Sequence, residues 1–153
     1  MNQRHLIRTD VQNPDFRMLV KHLDQELALI DGEEHAFYAT FFHTDIIRYV
    51  LIAYDGGQPI ACGGLKDFDP NSLEIKRMYT LPDYRSQGIG SLLLAGLEAW
   101  AGELGFSRCL LETGTRQPDA IRLYEKNGYT RIPNFAPYDQ APLSVCFQKL
   151  LIL

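Results

Sequence analysis

The chain has 153 residues, 46% of them hydrophobic and 22% charged, so it can bury a real core and fits one soluble domain over residues 1–153. A net charge of −4 and a pI near 5.5 argue against the basic face that a nucleic-acid partner needs. No apolar run reaches about 18 residues, and "MNQRHLIRTD" lacks a signal-peptide core, so no membrane partner is expected and the cytoplasm is the expected location.

In chain order, residues 4–9 suit a short first strand. Asn13-Pro14 then reads as a helix N-cap followed by an N1 proline. Phe16, Leu19, Val20, Leu23, Leu27 and Ile30 recur at helical spacing up to a stop at Asp31-Gly32. A second helix is expected over 33–43, with Phe37, Tyr38, Phe41 and Phe42 as a core stripe. "RYVLIAYDGGQPIACGGL" is two β-rich runs around Asp55-Gly56-Gly57, a hairpin signal. "SLEIKRMYTL" is a third strand of this meander, whose alternation sets Leu73, Ile75 and Arg77 opposite Glu74, Lys76 and Met78. A helix carrying Ile89, Leu92, Leu93, Leu97, Trp100 and Leu104 runs from Gly88 to about Gly105. Strand "SRCLLETGT", helix "PDAIRLYEKNG", strand "YTRI" and strand "PLSVCFQKLLI" complete an α+β order.

Cys62, Cys109 and Cys146 are odd in number, far apart and set in apolar runs, which reads as buried reduced thiols rather than a disulfide framework. The four histidines, His5, His22, His35 and His43, form no ligand spacing, and no metal is expected.

The informative stretch is "RMYTLPDYRSQGIGSLLLAGLEAW", where Gly88 and Gly90 stand at the start of a helix behind a proline-containing loop. A helix N-terminus presents unpaired N–H groups and the positive end of the dipole, which together suit a phosphate. A Walker A loop would need Lys-Ser/Thr after its last glycine, and Ser91-Leu92 stands there instead. A dinucleotide fingerprint fits better because Glu112 lies about one strand further on. Its third small position is Leu93, however, and "LPDY" separates strand from glycine.

Arg85-x-x-Gly88-x-Gly90 resembles the Q/R-x-x-G-x-G/A motif of the GNAT superfamily of N-acetyltransferases. "EIKRMYTLPDYRSQGIGSLLL" looks like that superfamily's fourth strand, loop and helix. "AIRLYEKNGYTRI" resembles its A-x-x-L-Y-x-x-x-G-F/Y segment, and "PLSVCFQKLL" is similar to the closing strand of small bacterial members. The likeness covers roughly residues 48–150 and is thin over the first 45. It implies one domain with a central mixed, mostly antiparallel twisted sheet of about six to seven strands, flanked by about four helices.

It further implies an enzyme moving an acetyl group from acetyl-CoA, as co-substrate, to a primary amine by direct attack on the thioester. Met78, Tyr79 and Thr80 match the strand that pairs with the pantetheine arm. Arg85, Ser86, Gln87, Gly88, Ile89, Gly90 and Ser91 match the pyrophosphate loop. Tyr124 matches the tyrosine near the cofactor sulfur, and Glu74 the strand position that serves as general base in the histone-acetylating branch. Gln117 departs from the asparagine that many members carry three residues before the motif alanine.

The chemistry asks for these groups independently. An amine attacks only when neutral, and its ammonium has a pKa of about 10, so a base such as Glu74 or a water chain must take a proton. The oxyanion needs a donor, for which the backbone N–H near Met78 is a candidate, and Tyr124 can protonate the departing thiolate. The acceptor, a small-molecule amine or an amine of a protein or peptide, is expected to meet a cleft around "DGEEHAFYATFF" and "IPNFAPYDQAP". There Glu33, Glu34 and Asp139 read as solvated acids or as attractants for a cation. A CoA-binding sensor without turnover, another acyl donor such as succinyl-CoA, and a homodimer remain open.

Overall fold

The computed structural model describes residues 3–32 and 46–152. The expected helix over 33–43, Glu33 and Glu34 lie outside the described residues. Strand β1 (Arg4–Thr9) leads into helix α1 (Pro14–Asp31), whose first turn is closed by the Asn13 side chain accepting from the N–H groups of Asp15 and Phe16. Pro14 sits in the first turn, and Gly32 ends the helix at φ 57°. Strands β2 (Ile47–Asp55) and β3 (Gln58–Asp69) form the expected hairpin, its turn carried by Gly56 at φ 61°. Strand β4 (Ser72–Thr80), a 3₁₀ turn (Pro82–Tyr84) and helix α2 (Ile89–Glu103) follow. Then come β5 (Arg108–Gly114), helix α3 (Pro118–Lys126), β6 (Thr130–Ile132), a second 3₁₀ turn (Tyr138–Gln140) and β7 (Ser144–Leu150).

The strands make one seven-stranded sheet in the order β1-β2-β3-β4-β5-β7-β6. Every pairing is antiparallel except β4 with β5, which α2 joins as a crossover. Helices α2 and α3 cover one face, where Leu93, Leu94, Leu97 and Tyr124 pack on Leu51, Leu73, Ile75, Leu111 and Phe147. Helix α1 covers half of the other face through Phe16, Leu19, Leu23 and Leu27 against Val50, Ile52, Cys62 and Tyr79. Tyr138 and Ala141 cover the rest, against Cys146. In α2 the buried stripe is Ile89, Leu93, Leu94, Leu97 and Ala101, while Leu92 and Leu104 face water. Cys62, Cys109 and Cys146 are free, buried thiols on β3, β5 and β7. Among the described residues no helix is long and apolar enough to cross a membrane, and no group of three or more His, Cys, Asp or Glu could hold a metal ion.

Candidate active site between the diverging strands

The site starts from a bulge. Between the pairs Gly64↔Lys76 and Cys62↔Tyr79, β4 carries one residue more than β3, and Arg77 takes the left-handed conformation at φ 60°. That conformation costs a non-glycine residue on the order of 1 kcal/mol, and the surroundings hold it in place. The Arg77 guanidinium donates to Asp24 of α1 at 2.7 Å, and the Cys62 thiol donates to the Arg77 carbonyl at 3.4 Å. Gly63 makes room opposite, since a Cβ there would stand 2.6 Å from the Met78 sulfur.

The extra residue resets the alternation expected from the sequence. Leu73 and Ile75 share one face, as expected, and pack toward α2, but Arg77, expected beside them, turns to α1, and Met78 joins the α2 face. Pairing of β4 with β5 stops at Ile75↔Leu111, although β4 continues to Thr80 and β5 continues along β7 to Gly114. The two halves of the sheet therefore part, and a notch opens between residues 76–80 and 112–114.

On the outer side of the notch lies a groove of about 650 Å³. Its wall includes Met78, Tyr79 and Thr80, the loop residues Arg85, Ser86, Gly88, Ile89, Gly90 and Ser91, and Glu26 of α1. Gly88 begins α2 at φ 82° with no side-chain cap. Leu92 N–H donates to the Gly88 carbonyl, so the first-turn N–H groups before it have no helical acceptor. Ser86 is also left-handed at φ 62°, and Gln87 is held from the side by Arg4 and by the Asp83 carbonyl. The two glycines serve different ends. A Cβ on Gly88 would meet nothing within 4 Å, so conformation demands glycine there, whereas a Cβ on Gly90 would stand 2.9 Å from Leu123 of α3.

At the inner end lies a second pocket of about 120 Å³, sharing Leu23, Leu27, Met78, Gln117 and Tyr124 with the groove. Tyr124 is buried, its ring edge-on to Tyr129. Its hydroxyl makes no hydrogen bond among the described residues, and burial drives its pKa up, so the proton stays on. Arg122 and Lys126 are exposed on α3, as its helical spacing requires, and also line the groove.

Glu74 is buried on β4, on the α1 side. Lys76 Nζ donates to the Tyr138 hydroxyl at 2.5 Å, and that hydroxyl donates to Glu74 Oε2 at 3.2 Å. Glu74 is not among the described residues lining either space.

Glu112 of β5 does line the inner pocket, with Tyr124. The Ser144 hydroxyl donates to its Oε2 at 2.6 Å. Burial pushes the Glu112 carboxyl up to about 7, with Glu74 and Asp31 adding to the rise and Ser144 and Lys76 opposing it. In the sequence Glu112 enters only as the acid of the rejected dinucleotide pattern. The signal that marks it is a lone carboxylate inside the apolar strand "RCLLETG". Asp139 is exposed and stands apart from both spaces.

The arrangement offers main-chain donors for an anion at one end of the notch and a buried phenol with a carboxylate at the other. It is suited to a long phosphorylated thioester met by a small nucleophile, an acyl-transfer site.

The Acetyltransferase (GNAT) family model matches residues 11–129, and the chain belongs to this family of acetyltransferases. It is 39% identical over 106 residues to an IAA acetyltransferase of Azospirillum brasilense, an alignment covering 69% of each protein. A crystal structure from Klebsiella pneumoniae superposes with a TM-score of 0.82 at 30% identity, covering 98% of this chain and 99% of that one. A GNAT family acetyltransferase from Elizabethkingia anophelis with acetyl-CoA bound shares the fold, at a TM-score of 0.72 and 16% identity over 99% of this chain and all of that one.

Proposed function

We propose that the whole chain works as one acetyl-CoA-dependent N-acetyltransferase domain, passing an acetyl group to a primary amine bound in the inner pocket. Acetyl-CoA is the co-substrate. The loop from Arg85 to Ser91 and the N-terminus of α2 take its pyrophosphate, and Met78, Tyr79 and Thr80 line its pantetheine arm. The observation that carries the reading is Tyr124. A buried phenol without a hydrogen bond among the described residues, on the wall shared by groove and pocket, is where a departing sulfur would need a donor.

Tyr124 is then the general acid, donating to the sulfur as the C–S bond breaks. The base that takes the proton from the attacking ammonium has two candidates. Glu74 matches the family position, yet its carboxylate accepts from Tyr138 and stands 3.6 Å from the Lys76 ammonium. Glu112 is favoured by position, since it faces the same pocket as Tyr124 with a carboxyl raised to about 7, close to the pH at which it must exchange a proton.

The test is incubation with acetyl-CoA, and separately succinyl-CoA, and a panel of small amines and amine-bearing peptides, with products read by mass spectrometry. Acetylation of one amine class with release of CoA is expected. CoA binding without any product would instead make the protein a sensor.

A further inference from the structure

Arg85, the first residue of the phosphate-loop motif, is already occupied. Its Nη1 and Nη2 donate to the two carboxylate oxygens of Glu26 at 2.9 and 2.8 Å, a two-point clasp between loop and α1. Its Nε donates separately to the Thr80 carbonyl at 2.9 Å, and the guanidinium carbon lies 5.5 Å from the centre of the Tyr79 ring. The clasp sits on the groove wall itself, with side chains 41% and 33% exposed. Hence the pair is open to solvent, and an anion entering the groove can compete with Glu26 for the same guanidinium.

Resting on the reading of the groove as a CoA site, we propose that Glu26 stands in for phosphate: it holds Arg85 in the ligand-free protein, and the pyrophosphate of the incoming cofactor displaces it. The fork that fits a carboxylate fits two phosphate oxygens equally well, and the Nε bond to Thr80 can persist as a pivot while the two Nη groups change partner. Until it is displaced, Glu26 places a negative charge in the path of an anionic ligand.

The exchange also reaches the acceptor. Leu23, one turn before Glu26, and Leu27, next to it, line both the groove and the inner pocket, and Asp31 lines the pocket. The helix that carries the clasp is thus the one that bounds the proposed amine site.

Titration calorimetry with CoA, and with pantetheine, which lacks the phosphates, tests this. Glu26→Gln should tighten CoA by about three- to tenfold and leave pantetheine unchanged. Arg85→Gln should weaken CoA by about tenfold, and on that background Glu26→Gln should add much less than it does alone. Unchanged or weaker CoA binding by Glu26→Gln overturns the exchange, as does an equal effect on pantetheine, which would make the clasp a structural tie. Wild-type protein that bound no CoA would remove the reading of the groove and the exchange with it. Normal wild-type binding without tightening in the variant overturns the exchange alone.

Discussion

Glu112 shows how a single buried carboxylate ties stability to chemistry. Its folded pKa of about 7 stands above an unfolded value of about 4.3, so between these pH values the folded state holds more protons than the unfolded one. Stability therefore falls as pH rises through this window, and Glu112→Gln should remove the fall. Denaturation at pH 5 and pH 8 should find the variant gaining on wild type by on the order of 1–3 kcal/mol at the higher pH. A constant difference would mean that the carboxyl titrates normally. The same substitution should erase the rise of kcat/KM with pH near 7, whereas Glu74→Gln should leave that limb in place. If Glu74 is the base instead, its variant alone should lose rate at neutral pH and partly recover at high pH. Sequence reasoning named Glu74 because the family pattern marks that position. It passed over Glu112 because nothing in a linear pattern tells which side of β5 faces the notch.

Among the elements, the boundaries of α1, the β2–β3 hairpin and α2 were legible because each is set by local chemistry: the Asn13 cap, the Asp55-Gly56-Gly57 turn, and an apolar stripe behind Gly88. The bulge in β4 was not. Arg77 carries no turn signal, and its left-handed conformation is imposed by Asp24, Cys62 and Gly63, all remote in sequence. The notch follows from where the pairing of β4 with β5 ends, which no local signal in either strand marks. The glycines of the loop make a prediction at this scale. Gly88→Ala must adopt φ near 82° and should cost about 1 kcal/mol. Gly90→Ala gains helix propensity of similar size and loses it again in moving the flexible end of Leu123, so its stability should stay close to wild type. Thermal melts of the two variants separate these cases, and equal losses would contradict the distinction.

For the whole molecule, the parallel β4–β5 pair inside an otherwise antiparallel sheet joins two half-sheets, and the proposed place for the ligand is where they part. A ligand seated there bridges both halves and should stabilise the fold by mass action. At a concentration of 100 Kd, acetyl-CoA should add about 2.7 kcal/mol, raising Tm by roughly 5–10 °C, while NADH should leave it unchanged.

The proposed chemistry turns on one hydroxyl. Tyr124→Phe keeps the ring against Tyr129 and Phe147 and removes only the hydroxyl proposed as the donor. Acetyl-CoA affinity by calorimetry and turnover on the acetylated amine should be measured on this variant beside wild type. Unchanged affinity with turnover reduced on the order of 10²- to 10⁴-fold is the result expected of a lost proton donor. Full turnover with normal affinity would return Tyr124 to the core and leave the notch without its acid.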